Sequence, residues 1–185
     1  MLENEVKLKS KIILLGDTQV GKTSLIRRYV LDVFSDKYKQ TIGTKVSKKN
    51  INVKVENVMV QITLLIWDIL GQLSYEQLHA SYYRGAAGII YVSDITNIST
   101  LENIPNWVAR AVKIVGWVPQ IFIVNKSDLR DYYQFSFETA CEFLQDFGNE
   151  VILTSAKTGE NVNKAFHRLA RQIIQHQIET GAISI

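Results

Sequence analysis

The eight residues Gly16–Thr23 constrain this chain more than any other stretch of its sequence. They follow the apolar run Ile12–Leu15, which is typical of a buried strand, and they lead into Lys22–Leu31, which has the pattern of a helix. In order they are Gly16, Asp17, Thr18, Gln19, Val20, Gly21, Lys22 and Thr23, and Ser24 comes next. A strand that passes through a turn of this composition into a helix is the pattern of a phosphate-binding loop.

This loop predicts a site for phosphate groups. Glycine lets backbone N–H groups turn inward around phosphate oxygens, at a helix N-terminus whose dipole favours anions. Lys22 can reach the terminal phosphates, and the hydroxyl of Thr23 can bind Mg²⁺. The plain alternative is a glycine turn that leads into an amphipathic helix and holds no ligand.

The rest of the chain alternates between strand and helix patterns, which predicts an α/β fold. Alternating segments at 46–55 and Val58–Trp67 flank the polar pair Glu56–Asn57 and predict a hairpin. Further strands are expected at Ile89–Val92, Ile121–Val124 and Val151–Leu153, and helices at about 73–83, 99–115, 136–147 and 161–178, with Pro105 in a first turn or at a kink and Asn161 as an N-cap. Strands separated by helices form a parallel sheet that is covered on both faces and binds ligands at the carboxyl ends of its strands.

A second group of polar residues begins where the strand Val58–Trp67 ends. A carboxylate at Asp68 can hold Mg²⁺ through water, opposite Thr23. The backbone N–H of Gly71 can then meet a terminal phosphate, and Gln72 can orient an attacking water. On its own, an aspartate in this position is more often a helix cap or part of a turn.

Asn125, Lys126 and Asp128 follow the next predicted strand and indicate which base is bound. A carboxylate at Asp128 accepts two hydrogen bonds from the ring N–H and the exocyclic amine of guanine. Adenine lacks this pair of donors, and an unpaired carboxylate in a partly buried site costs on the order of 1–3 kcal/mol. Asn125 can tie its loop back to the phosphate loop, and Lys126 can lay its aliphatic stem across the ring.

The last strand is followed by Ser155, Ala156 and Lys157, which can offer a backbone N–H to the guanine oxygen. Taken singly, this loop or the Asn125 loop is more often an ordinary polar connection. Their order after the phosphate loop and Asp68 favours the binding of a guanine nucleotide.

Composition is consistent with one intracellular domain. The chain has 185 residues, a single cysteine and a formal net charge of +3, so neither a disulfide framework nor a nucleic-acid partner is expected. Position 2 is leucine and the C-terminal residues include no cysteine, so we expect no lipid anchor. A cytoplasmic monomer, in weak electrostatic contact with membranes at most, fits these features.

Together, these motifs resemble those of the Ras-superfamily small GTPases. Thr41–Gly43 resembles the first switch loop of the Rab branch, and residues 82–96 resemble its second-switch helix and the strand that follows that helix. The resemblance implies a P-loop NTPase fold, with a six-stranded, mostly parallel sheet and five helices. It also implies a G domain over residues 9–178, between short tails at 1–8 and 179–185.

The same resemblance implies several site residues and a mechanism. Thr41 would bind Mg²⁺ together with Thr23 and Asp68, and Gln72, Lys22 and Thr41 would be the catalytic residues. Phe34 would lie against the guanine, and Tyr38 over the phosphates. Loops 32–43 and 69–81 would order around GTP, so that effectors distinguish the two nucleotide states and exchange factors and activating proteins control them.

Some residues depart from the pattern of this family. Thr18 and Gln19 stand where smaller residues are usual, and Leu70 and Leu73 replace an alanine or glycine and a glutamate. A GTP-bound scaffold that does not hydrolyse its nucleotide is therefore an alternative function. A metabolic phosphate-loop kinase is disfavoured, because the Asn125–Asp128 loop selects guanine. Arg27 and Arg28, on the first helix, are expected to point away from the phosphates.

The predicted hairpin and the first switch are rich in lysine. The set comprises Lys37, Lys39, Lys45, Lys48, Lys49 and Lys54, with no acidic residue between them. One interpretation is a solvated edge strand that its lysines protect from aggregation. The other is a surface for an acidic partner or an anionic membrane.

Of the aromatic trio that Rab effectors usually contact, Trp67 and Tyr82 remain, and Val46 replaces the phenylalanine.

Overall fold

A six-stranded sheet forms the centre of the protein. The computed structural model describes residues 6–35, 44–56, 58–69, 76–148 and 150–184, with the backbone alone for 76–79. The strands are β1 (Val6–Leu15), β2 (Thr44–Val55), β3 (Val58–Ile69), β4 (Gly88–Asp94), β5 (Gln120–Asn125) and β6 (Val151–Leu153). Their order is β2-β3-β1-β4-β5-β6, and only the pairing of the edge strand β2 with β3 is antiparallel. The predicted fold class and the predicted hairpin are confirmed.

Six α-helices lie in the described part of the chain. They are α1 (Lys22–Leu31), α2 (Glu76–Tyr83), α3 (Ile98–Glu102), α4 (Ile104–Val115), α5 (Phe137–Leu144) and α6 (Val162–Glu179), with short 3₁₀ turns at Arg130–Tyr132 and Gln145–Phe147. The prediction of one helix over 99–115 is wrong, because the chain breaks at Asn103 and restarts with Pro105 in the first turn of α4. No helix of the described residues is long and apolar enough to cross a membrane.

Two further local predictions differ from the structure. Strand β1 begins at Val6 rather than Ile12, because β3 continues beside it and pairs Val60 with Val6. Asn161 does precede α6, but it adopts a left-handed conformation, and its side chain makes no capping hydrogen bond. Its amide donates instead to the carbonyl of Leu153 at 2.9 Å.

Strand β1 divides the hydrophobic core into two layers. Ile12 and Leu14 point to one face of the sheet, where they join a buried cluster that includes residues of α1 and α6. Ile13 and Leu15 point to the other face, where the cluster includes residues of α3, α4 and α5. Because β1 and β3–β6 are parallel, their carboxyl ends meet at one edge of the sheet, and the site is built at this edge.

Candidate nucleotide-binding site

The loop between β1 and α1 requires glycine at two positions. Gly16 and Gly21 have φ angles of +142° and +103°, which L side chains rarely adopt. A Cβ at Gly16 would collide with the carbonyl of Val92, and one at Gly21 with the side-chain amide of Asn125. The loop therefore passes close to strands β4 and β5, which fixes its position at the edge of the sheet.

Lys22 is folded into this loop. Its Nζ donates to the carbonyl of Gly16 at 2.7 Å and to that of Asp17 at 2.6 Å. The residue is only 7% exposed, and burial lowers the pKa of its ammonium to about 8, against the opposing effect of the carboxylates of Asp68 and Asp17. The Lys22 amine, which is mostly protonated at neutral pH, is thus held where the sequence predicts the terminal phosphates.

The Asp17 side chain connects the loop to the break between α3 and α4. Its Oδ1 accepts hydrogen bonds from Asn103 Nδ2 at 2.6 Å and from Trp107 Nε1 at 2.8 Å. Trp107 is 1% exposed. The sequence analysis did not identify either of these donors, which lie more than 80 residues away along the chain.

Thr23 and Asp68 meet as a pair suited to a metal ion. The Thr23 hydroxyl donates to Oδ2 of Asp68 at 2.7 Å, while Oδ1 is buried and has no hydrogen-bond partner among the described residues. Burial raises the pKa of the Asp68 carboxyl; the Thr23 hydrogen bond opposes this rise, as do the charges of Lys22, Arg27 and Lys45. A hydroxyl beside a carboxylate oxygen without a partner fits Mg²⁺, which commonly takes one or two carboxylates and completes its shell with phosphates and water.

The two arginines of α1 have different surroundings. Arg27 lines the same cavity as Thr23 and Asp68, and the expectation that it points away from the phosphates stays a prediction. Arg28 donates from Nε to the carbonyl of Ala156 at 3.0 Å and from Nη2 to that of Lys157 at 2.6 Å. It thereby ties α1 to the loop that follows β6.

Asn125 links three loops of the site. Its Nδ2 donates to the carbonyl of Val20 at 2.9 Å, and its Oδ1 accepts from Thr154 Oγ1 at 3.1 Å and from the Ala156 backbone N–H at 3.2 Å. The side chain is almost fully buried. The contact with the phosphate loop that the sequence predicts is therefore present, and the same amide also orders the loop after β6.

The Asp128 carboxylate is oriented by the loop after β6. Its Oδ1 accepts from the hydroxyl of Ser155 at 2.6 Å. The backbone N–H of Ser155 donates to the carbonyl of Glu160, and that of Ala156 donates to Asn125, so both are used within the protein. Lys157, the third residue of the predicted set, is exposed.

Lys126 has a partner that the sequence analysis missed. Its Nζ forms an ion pair with Asp94 Oδ2 at 2.5 Å, and the other oxygen of Asp94 accepts from the backbone and the hydroxyl of Thr96. Asp94 ends strand β4 at the same edge of the sheet as Asp68 and Asn125. Its position just after the apolar run of β4 is the sequence signal that could have identified Asp94 as a site residue.

The remaining predicted residues divide into two groups. Thr18 and Gln19 are exposed at the tip of the loop, Ser24 lies in the first turn of α1, and Phe34 packs at the edge of the core layer that contains α1. The other group lies outside the described residues, and it comprises Tyr38, Thr41, Leu70, Gly71, Gln72 and Leu73.

Comparison with known proteins identifies the family. The model of the Ras family matches residues 11–175, which is most of the chain and contains all four loops of the site. The chain belongs to the Ras family. Its Rab-like character follows from its individual relatives.

Three relatives of this Ras-family chain carry Rab names. The Ypt/Rab-type GTPase YPT7 of Saccharomyces cerevisiae is 38% identical over 180 residues, which cover 93% of this chain and 85% of the relative. Ras-related protein Rab-19 of Xenopus laevis is 36% identical, with coverage of 89% and 76%. Ras-related protein Rab-8B of Homo sapiens is also 36% identical, with coverage of 89% and 78%.

The surface next to the site of this Ras-family protein contains the two aromatic residues noted in its sequence. The rings of Trp67 and Tyr82 are 6.3 Å apart, and Lys11 Nζ lies 4.1 Å from the centre of the Trp67 ring. Val46 pairs with Trp67 across the hairpin and is 46% exposed. Trp67 thus packs on its own sheet and also borders an exposed apolar position.

Proposed function

We propose that this Ras-family GTPase is a Rab-like switch that binds GTP or GDP with Mg²⁺ and hydrolyses GTP slowly. Its output is the binding of effector proteins in the GTP state. The observation that carries the proposal is the Asn125 side chain, which joins the phosphate loop to the loop that orients Asp128. A nucleoside phosphate bound across these two loops would be held at both its phosphate and its base end.

Guanine selection is assigned to Asp128 and is tested by changing one atom of its side chain. Asp128→Asn replaces an acceptor with a donor, so the preference should move from guanine to xanthine nucleotides, which present a carbonyl there. Competition of GDP and xanthosine diphosphate against a fluorescent nucleotide measures this change. An unchanged preference for GDP would refute the base assignment.

The metal site is assigned to Thr23 and Asp68, with Thr41 as a further ligand in the GTP state. Bound Mg²⁺ would neutralise charge on the phosphates. The residues of the chain would hold it, because Thr23 directly follows Lys22 and donates to one oxygen of Asp68, while the other Asp68 oxygen has no hydrogen-bond partner among the described residues. Chelation of Mg²⁺ should accelerate nucleotide release, and Asp68→Ala should remove most of that acceleration.

Slow hydrolysis is expected because the full rate needs a cation on the transferred phosphate in addition to Lys22. Among the described residues, Lys22 is the cation that is hydrogen-bonded inside this loop. Gln72 would orient the water, and a further cation would come from an activating protein. We expect intrinsic turnover on the order of 10⁻⁴–10⁻³ per second. Single-turnover hydrolysis faster than about one per second would contradict this expectation.

The cellular role that fits these properties is regulation of the membrane-trafficking type. Effectors, exchange factors and activating proteins would be its partners, and the protein would act in the cytoplasm and at the periphery of membranes. The Rab names of its relatives support this assignment. Affinity for effector-type partners that is equal in the GDP and GTP states would contradict the switch.

A scaffold that retains GTP is the second candidate. It is favoured by Thr18 and Gln19, which are exposed at the tip of the phosphate loop, where Gln19 has a φ angle of +65°. Side chains at this tip can crowd the terminal phosphate and Gln72. Nucleotide extracted from the purified protein distinguishes the candidates, because GTP that persists for days supports the scaffold and slow conversion to GDP supports the switch.

A further inference from the structure

A cavity of about 230 Å³ lies between helix α1 and strand β2, next to the candidate metal pair. Its apolar lining comes from one side of α1, namely Ile26, Val30 and Leu31. Its cationic side chains come from both walls, as Arg27 on α1 and Lys45 on β2; Lys48 also borders the cavity, but its side chain points to the opposite face of the strand. We call this cavity and its rim the α1–β2 groove.

The two walls place positive charge directly beside the metal pair. Arg27 follows Thr23 by four residues, which puts it one turn further along the same side of α1. Lys45 is the cross-strand partner of Asp68 in the β2–β3 pairing. Both charges act on the Asp68 carboxyl and oppose the rise of its pKa that burial causes.

The negative charge inside the groove is insufficient to balance these cations. Asp68 is the acidic residue of the lining, but it is 3% exposed and its Oδ2 accepts the Thr23 hydroxyl. Within the described parts of the chain, Arg27, Lys45 and Lys48 form no ion pair. Lys49, which follows them on β2, donates to the Val30 carbonyl at 3.4 Å and also has no acidic partner there. Counted over the residues that the structure describes, the groove therefore has an excess of positive charge.

Apolar side chains are exposed at the same place. Leu31 is 63% exposed and Val33 is 49% exposed, at the end of α1 and just beyond it. Apolar surface next to unpaired cations favours a ligand that carries both carboxylates and an apolar side chain. We propose that the α1–β2 groove binds an acidic segment of a partner protein whose carboxylates flank an apolar side chain.

The shape of the groove favours a peptide segment over a lipid surface. A carboxylate on a narrow chain can enter a concavity of 230 Å³, whereas the headgroups of a flat bilayer touch its rim. If lysines on β2 only protected an edge strand from aggregation, Lys54 at its far end would be equivalent to Lys45. Lys54 is exposed and does not line the groove, so it provides a matched control.

The probe is a soluble blocked peptide that contains two leucines flanked by four glutamates. It is titrated into ¹⁵N-labelled protein that carries GDP, and then into protein that carries a non-hydrolysable GTP analogue. We expect saturable shifts of the amide signals of Val30, Leu31 and Ser47. Lys45→Glu should weaken binding at least fivefold, whereas Lys48→Glu and Lys54→Glu, on the opposite face of β2, should each weaken it less than twofold. A peptide with serine in place of leucine should bind at least fivefold more weakly.

Three outcomes would overturn the proposal: no shift at millimolar peptide, equal weakening by Lys54→Glu, or binding of phosphatidylserine vesicles that depends on Lys45 and Lys48 while the peptide does not bind. Circular dichroism and nucleotide affinity, measured for each variant, show that the variants fold. Only one part of the proposal depends on the proposed switch function, namely that the partner is an effector. Equal peptide binding in both nucleotide states would therefore reject the effector assignment and leave the groove as a docking site.

Discussion

The indole nitrogen of Trp107 donates a 2.8 Å hydrogen bond to the Asp17 carboxylate and so joins helix α4 to the phosphate loop. Asn103 donates to the same oxygen from the break between α3 and α4. Because two buried or half-buried donors hold Asp17, the backbone that would face the phosphates is positioned without any ligand. The tightness of nucleotide binding is therefore expected to depend on residues that never contact the nucleotide.

Replacing Trp107 by phenylalanine tests this dependence. The change keeps most of the apolar ring but removes the donor, and a hydrogen bond to a charged group contributes about 1.5–3 kcal/mol. We expect the free energy of unfolding of the nucleotide-free protein to fall by a similar amount and nucleotide release to become faster. Denaturant unfolding and the release of a fluorescent GDP analogue measure the two effects. Trp117→Phe, at a position that is 64% exposed, should change neither; equal effects of both variants would count against the role of Asp17.

Asn125→Ala should destabilise the protein even when no nucleotide is bound. It leaves the Val20 carbonyl and the Ala156 N–H without their partner in a buried site, and each unpaired group costs about 1–3 kcal/mol. The free energy of unfolding of the nucleotide-free protein should fall by about 2–5 kcal/mol, as measured by denaturant titration. Asn52→Ala, at an exposed position of β2, is the control. A variant of normal stability that has lost only nucleotide affinity would show that Asn125 acts on the ligand alone.

Gly21→Ala and Gly85→Ala separate backbone strain from collision. Both glycines have positive φ angles, and an alanine in the left-handed region costs about 1–2 kcal/mol. No atom lies within 4 Å of a Cβ at Gly85, whereas a Cβ at Gly21 meets the Asn125 amide. Thermal unfolding should therefore show a modest loss for Gly85→Ala and a larger one for Gly21→Ala. Nucleotide affinity should fall only in the Gly21→Ala variant. Equal losses of thermal stability in the two variants would contradict the collision at Gly21.

Arg27→Ala should strengthen the binding of Mg²⁺. Its positive charge acts on the Asp68 carboxyl and repels a second cation there. Partly exposed charges interact by about 0.2–1 kcal/mol, so the half-maximal Mg²⁺ concentration that slows GDP release should fall about 1.4- to fivefold. The same titration of Lys54→Ala should be unchanged. A higher Mg²⁺ requirement in the Arg27 variant would mean that the arginine supports the bound nucleotide more than it repels the metal.

The parts of the site that lie within a few residues of each other were predictable from the sequence. The glycines of Gly16–Thr23 indicate the turn directly. Asp68 and Asn125 each follow an apolar run, and in a parallel sheet the carboxyl ends of such strands meet at one edge. Strand β1 was also readable from Val6, because apolar and charged residues alternate from there to Lys9, although the apolar run at Ile12 is the more obvious signal.

Contacts between distant segments were not predictable in this way. The partners of Asp17 and the reach of Arg28 to the Ala156 loop depend on how helices pack over the sheet, and neither spacing nor composition records this packing. The break at Asn103 has a similar cause. Pro105 is compatible either with a kink in one helix or with the first turn of a new helix. The structure has the new helix, and Asn103 at the break donates to Asp17.

Strand β1 pairs with β3 and β4, and not with the hairpin strand β2 that follows it in the chain. On the ribosome, the central strand of the sheet is therefore made first, but its partner strand β3, which pairs with it from Val60 onward, is made only after the whole of β2. Until then Ile12–Leu15, which are at most 1% exposed in the folded protein, have no sheet to join. A nascent chain arrested before β3 thus presents an apolar segment that is fully buried in the folded protein to any chaperone or aggregate nearby.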